Sequence, residues 1–176
     1  LIFGRVEADV MENALVYFLL TATAYPFTGI YNAGAALFRA MGKSILYEGP
    51  AGFGQHTKMA NQIAIAGALA GVCEALTYAK RAGLDPARVY ETIRTGAARS
   101  GQLDIIAPKV LNGDFSAAFY LRHFVKDMGI ASQECRDRGL ELEVLEQVLA
   151  DCRQIEAEGH GGEGTQALIR HYPWAD

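Results

Sequence analysis

Lys58, Asn61 and Gln62 lie within five residues of one another in "GPAGFGQHTKMANQ", residues 49–62, just after Gly49, Gly52 and Gly54. At about 100° per residue, Asn61 and Gln62 fall on either side of the direction of Lys58, one helical turn further on. An ammonium group and two carboxamides are then expected on one face at the entrance of a helix. The glycines let backbone approach a ligand closely and leave amide groups for hydrogen bonds. A lysine at a helix start opposes the macrodipole, at a cost of about 0.3–1 kcal/mol. The positive helix end, and burial if present, push its pKa down, which suits proton transfer near neutrality. The competing reading is a solvated lysine beside a helix start.

The elements that must position this cluster are mostly helical. "TKMANQIAIAGALAGVCEALTYAKRAG" (57–83) predicts one long helix stopped by Gly83, and Asp85-Pro86 opens a second over "PARVYETIRTGAA". Further helices are expected in "GQLDIIAPKVLNGD", "YLRHFVKDMGIASQECRDRG" and "LEVLEQVLADCRQIEAEG", with a short "TQALIRHYP" before a frayed end. Ala60, Ala64, Gly67, Ala68 and Gly71 form a small-residue stripe that lets another helix come close, so the long helix is expected to be central and buried. Before residue 49 the pattern is mixed. "ALVYFLL" and "SILYEG" read as strands, and "AGAALFRAMGK" between them reads as a helix.

Composition narrows the class. At 176 residues and 51% hydrophobic content the chain suits one globular domain, or one with part of another. A net charge of −4 without a basic run argues against nucleic acid as a partner. Cys73, Cys135 and Cys152 form no C-x-x-C pair and read as reduced thiols packed on helices of a cytoplasmic protein, with no metal site. Residues 13–38 carry no charge, which raises a membrane span. Pro26, Gly29 and Gly34 favour buried strands and turns instead, so no membrane association is expected.

The segment "GPAGFGQHTKMANQIAIAGALAGVCEAL" resembles the interdomain helix of the β-hydroxyacid dehydrogenases, the family of 3-hydroxyisobutyrate dehydrogenase, tartronate semialdehyde reductase and, more distantly, 6-phosphogluconate dehydrogenase. Gly52, Gly54, Lys58, Asn61 and Gln62 meet its G-x-G-x-x-x-K-x-x-N-[NQ] motif. Phe119 with Lys126 and Asp127 meets a second one, an aromatic seven residues before a K-D pair on a helix, and "RAGLDPARVYETI" also matches. If Phe119 and Lys126 share a helix, seven residues is 20° short of two turns, so they lie on nearly the same side.

The resemblance implies a mainly α fold, a 6-phosphogluconate dehydrogenase C-terminal-like helical bundle over 49–176 built on one long central helix. Residues 1–48 would be a small α/β remnant of a nucleotide-binding domain. It implies Lys58 as catalytic general acid/base, Gly54, Asn61 and Gln62 as substrate-binding, and Phe119, Lys126 and Asp127 as cofactor-binding. The cofactor would be NAD or NADP, the substrate a small hydroxy acid or semialdehyde, and the assembly a homodimer or homotetramer. Gln62, where many relatives have asparagine, leans toward the tartronate semialdehyde reductases. The family's nucleotide-binding half carries a G-x-G-x-x-G after a first strand. "GHGGEG" (159–164) has that spacing, but no strand precedes it and it reads as a turn between helices, so a phosphate cradle is not expected there. The chain, beginning at Leu1, is therefore expected to be the C-terminal half of such an enzyme, inactive alone. The alternative is a non-catalytic binding or assembly module that kept the fold after losing its nucleotide domain.

Overall fold

A computed structural model describes residues 46–174, and Glu48 onward forms one compact unit. The remnant nucleotide-binding domain at 1–48, the strand at 14–20, the helix at 33–43 and the uncharged stretch at 13–38 fall on residues outside that range, apart from 46–48. Of the strand expected at 44–49, the described part, 46–49, has no regular secondary structure.

Five α-helices follow: α1 (Phe53–Arg81), α2 (Pro86–Ile93), α3 (Gly101–Leu111), α4 (Leu121–Asp137) and α5 (Glu143–Ala157). Two 3₁₀ segments, His160–Gly162 and Thr165–His171, close the described chain. No strand occurs among the described residues. Local chemistry sets the boundaries. Asp85 accepts the amide of Ala87 at 2.9 Å, with Pro86 at the first helical position of α2. Ser100 Oγ accepts the amide of Leu103 at 3.0 Å and starts α3. Gly83, at φ 76°, takes the left-handed conformation that lets the Leu84 amide reach back to Ala79 O at 2.9 Å and end α1.

α1 packs against α3, α4 and α5, and the 165–171 segment lies against both α1 and α5. Its inward face carries Ala66, Leu69, Val72, Cys73 and Leu76, all buried. α4 contributes Leu121, Phe124, Val125, Met128, Ala131 and Cys135 at spacings of three and four. α5 adds Leu145, Val148, Leu149, Cys152 and Ile155. Each fully buried leucine or phenylalanine here stabilises the fold by about 1.5–3 kcal/mol. The three cysteines are buried free thiols. Burial pushes the Cys152 thiol up to about 12 and raises Cys73 as well, so both stay protonated and inert.

Two expectations need correcting. The long helix begins four residues earlier than its sequence pattern suggests, and it is buried along one face only. Ala60, Ala64 and Gly71 are exposed and Gly67 and Ala68 half-buried. The packed face is the one that carries larger side chains, because these contribute more buried area against α3, α4 and α5. At Gly67 the small-residue stripe meets the start of α5, where Val144 Cγ1 would lie 3.6 Å from a Cβ on that glycine. α1 also has the length and apolarity of a membrane span, while in this unit its larger residues pack against neighbouring helices. The short C-terminal element expected at "TQALIRHYP" forms as Thr165–His171, with Gln166, Ala167, Leu168 and Ile169 all buried.

Candidate active site

Packing α1 against α4 brings Lys58 and Gln62, one turn apart, onto Asp127. Lys58 Nζ lies 2.9 Å from Asp127 Oδ2, and Gln62 Nε2 donates to the same oxygen at 3.0 Å. Lys126 Nζ stands 3.2 Å from the other oxygen, Oδ1. Asp127 is only 2% exposed, whereas the Lys58 and Lys126 side chains are 56% and 66% exposed. A buried carboxylate needs donors to replace water, and three converge on this one. Burial alone would raise its pKa. Hydrogen bonds from Lys58, Lys126 and Gln62, with the Lys58 charge, outweigh that and hold the carboxyl below the usual aspartate range.

The surroundings of Lys58 differ from those expected. It sits six residues into α1, in the second turn, beyond the first-turn amides that carry the positive helix end. It is half in solvent and faces the Asp127 carboxylate.

Beside this cluster opens a cleft of about 350 Å³, at the small end of the range for small-molecule sites. Lys58, Gln62 and Ile65 of α1 form one wall and Gln102, Ile105, Ile106 and Lys109 of α3 another. Ala118, Phe119, Phe124 and Asp127 complete it, with Thr165 and Gln166 from the closing segment. Phe119 is 40% exposed and meets Phe124 edge-to-face at 6.3 Å and His123 at 6.1 Å. Cations and amides therefore face aromatic and aliphatic carbon across a space fit for a small, partly planar, oxygen-bearing molecule.

Of the predicted site residues, the fold brings Lys58, Gln62, Phe119 and Asp127 to the cleft. Gly54 lies in the exposed first turn of α1 and does not line it. Asn61 is exposed, and its amide donates to Gln62 Oε1 at 3.4 Å. Lys126 stands on the far oxygen of Asp127 and is not part of the lining. The expected helical alignment of Phe119 with Lys126 does not hold, because α4 starts at Leu121 and Phe119 belongs to the preceding loop. Sequence reasoning missed Gln102, Lys109, Thr165 and Gln166. Uncharged or solitary on their helices, they carry no local signal and only the tertiary packing collects them. Among the described residues no three His, Cys, Asp or Glu side chains are grouped to hold a metal.

The depressed Asp127 carboxyl gives a signed expectation. Its contribution to stability is complete above the ordinary aspartate pKa of ~4 and is lost as pH falls through the lower folded value. At pH 7, Asp127→Asn should cost about 1.5–3 kcal/mol, the range for hydrogen bonds to a charged group. Melting curves of both proteins from pH 7 to pH 2 should converge as the wild type is acidified. A gap that stays constant to pH 2 would count against the ion-paired carboxylate.

Known proteins similar to this chain give its family. The chain is 45% identical over 140 residues to an uncharacterized oxidoreductase of Bacillus subtilis, YkwC, covering 80% of this chain and 49% of that protein. It is 44% identical over 133 residues to a probable 3-hydroxyisobutyrate dehydrogenase-like protein of Arabidopsis thaliana, covering 76% and 40%. It is 36% identical over 106 residues to the 2-hydroxy-3-oxopropionate reductase of Escherichia coli, covering 60% and 36%. The chain thus spans half or less of the length of these relatives. A solved 3-hydroxyisobutyrate dehydrogenase from Mycobacterium tuberculosis, with L-serine, superposes with a TM-score of 0.67 at 22% identity, over 74% of this chain and 47% of that one. At that identity the likeness shows a shared fold. Residues 52–172 match the family model described as NAD-binding of NADP-dependent 3-hydroxyisobutyrate dehydrogenase, and the chain belongs to that family of NAD(P)-linked oxidoreductases.

Proposed function

We propose that this chain supplies the catalytic lysine and the dimerisation surface of an NAD(P)-dependent hydroxyacid dehydrogenase that interconverts a small hydroxy acid and its semialdehyde. The observation that carries the reading is the Lys58 ammonium, held by Asp127 at the edge of a cleft with an aromatic wall. Lys58 has three N–H bonds, and Asp127 is its hydrogen-bond partner within the unit. Two remain for a substrate oxygen. In the reductive direction Lys58 donates a proton to that oxygen as negative charge develops on it; in the oxidative direction it receives the hydroxyl proton. Asp127 fixes where the ammonium stands, and Gln62 fixes Asp127.

NAD or NADP would supply or accept the hydride. The residues suit its nicotinamide end, since a half-exposed phenyl ring stands in the cleft near an ammonium group. Phe119 would border the ring, Asp127 would face it through Lys58, and Lys126, 66% exposed on the other side of Asp127, would reach the ribose or phosphate. Gly54, Asn61 and Gln62, on the same end of α1, form the proposed substrate side.

A homodimer or homotetramer is part of the same reading. The exposed stripe of Ala60, Ala64 and Gly71 lies on the side where Val144, 61% exposed, approaches Gly67. An apolar face of this kind favours a second layer. A cytoplasmic location is proposed from the three free thiols.

Two measurements test this. In the protein carrying both this chain and a nucleotide-binding half, Lys58→Ala should lower turnover by on the order of 10²–10⁴ and leave dinucleotide affinity nearly unchanged. Near-normal turnover would remove Lys58 from the chemistry. In sedimentation, the isolated chain at micromolar concentration should run as a dimer or larger, and a clean monomer would contradict the proposed surface.

A further inference from the structure

The loop that carries Phe119 to the cleft is tied down from the far end of the chain. Gln166, itself 2% exposed, donates from Nε2 to Asp114 O at 2.9 Å and to Ser116 O at 3.0 Å. The Gly164 amide donates to Phe115 O at 3.0 Å, and the Leu121 amide to Glu163 O at 2.9 Å. Lys109 Nζ adds a second donor to Ser116 O at 2.9 Å, and the Arg170 guanidinium stacks 4.0 Å from the centre of the Phe115 ring. The backbone on both sides of Ala118 and Phe119 is therefore clamped by residues 163–170, while the Phe119 ring itself meets His123 and Phe124 edge-to-face.

Gln166 can reach both carbonyls because residue 164 is glycine. A Cβ there would collide with the Gln166 carboxamide, while the backbone at 164 (φ −72°) suits any L-residue. The glycine is required for space, not for its dihedral freedom.

We propose that Gln166 is a positioning residue: its carboxamide, seated against the bare Cα of Gly164, holds the 114–116 backbone so that Phe119 stands as a fixed wall of the cleft beside Lys58 and Asp127. The functional meaning of that wall rests on the reading of the cleft as the nicotinamide site. The clamp itself rests on the hydrogen bonds alone. Asp114 and Ser116 are exposed residues, so water can take over their carbonyls when Gln166 is replaced. The fold then survives while the wall loosens.

The test uses the chain with its eight phenylalanines replaced by 4-fluorophenylalanine. The Phe119 signal is assigned by its loss in Phe119→Leu, and free nicotinamide at millimolar concentration serves as the probe. In wild type, Phe119 should give one narrow fluorine signal that shifts with nicotinamide. In Gln166→Leu, and independently in Gly164→Ala, that signal should broaden or move toward the solvent value. Phe124 and the melting temperature should stay near wild type, and nicotinamide affinity should fall roughly fivefold through lost preorganisation. A Phe119 signal unchanged in both variants overturns the proposal. So does loss of cooperative melting in both with all signals moving together, which would make Gln166 a general structural residue. If Phe119 moves in the variants but nicotinamide leaves the wild-type signal untouched, the clamp stands and the nicotinamide reading fails.

Discussion

The rest of the site depends on one buried negative charge. Asp127 is 2% exposed and ionised, and a carboxylate out of water is tolerable only when donors surround it. Those donors come from two helices. Lys58 and Gln62 reach across from α1, and Lys126 turns back from within α4. The crossing of α1 and α4 is thus fixed near the cleft by charge and further along by Leu69, Phe124 and Met128. Lys58 cannot leave without uncovering the carboxylate, which keeps a long, flexible side chain near one position. Turning a mobile ammonium into an oriented proton donor is what general acid–base chemistry requires.

The division of labour along α1 follows. Its first three turns carry polar groups, His56, Lys58 and Gln62, toward α4 and the cleft. From Ala66 to Ala79 the same helix holds the core together through Leu69, Val72 and Leu76. A helix that both frames the cleft and anchors the core transmits little slack between the two, because a close-packed interior resists small displacements. The opposite wall is built differently. Phe119 stands on a loop, and its rigidity comes from hydrogen bonds delivered by residues 163–166 and from Lys109. The cleft has one wall made stiff by packing and another made stiff by backbone capture.

What could be read in the sequence was whatever has a local period. The helix order, the Asp85-Pro86 start and the Gly83 stop follow from caps and apolar spacing, and Lys58 with Gln62 follows from their one-turn separation. Lys126 and Asp127 are picked out by the resemblance to the family's K-D motif, which does not say that Asp127 turns inward while Lys126 stays in solvent. Three things were not legible, for different reasons. The outward face of the Ala60–Gly71 stripe could not be told from an inward one, because small residues suit either close packing or a thin surface. The alignment of Phe119 with Lys126 fails because the helix starts at Leu121, where no glycine or proline marks the boundary and the Leu121 amide is taken by Glu163 O in another segment. Gln166 acts through backbone carbonyls 50 and 52 residues away, and Lys109 through one in the loop beyond its own helix, and no spacing rule connects such partners.

Amide chemical-shift mapping of the chain tests the central claim most directly, with NADH and 3-hydroxyisobutyrate titrated together at millimolar concentration. The account predicts that the largest shifts cluster on Lys58, Gln62, Ile105, Phe119 and Asp127, the residues around the cleft. Shifts centred on the Lys80–Trp174 end of the unit, or none at any of these five, would contradict it.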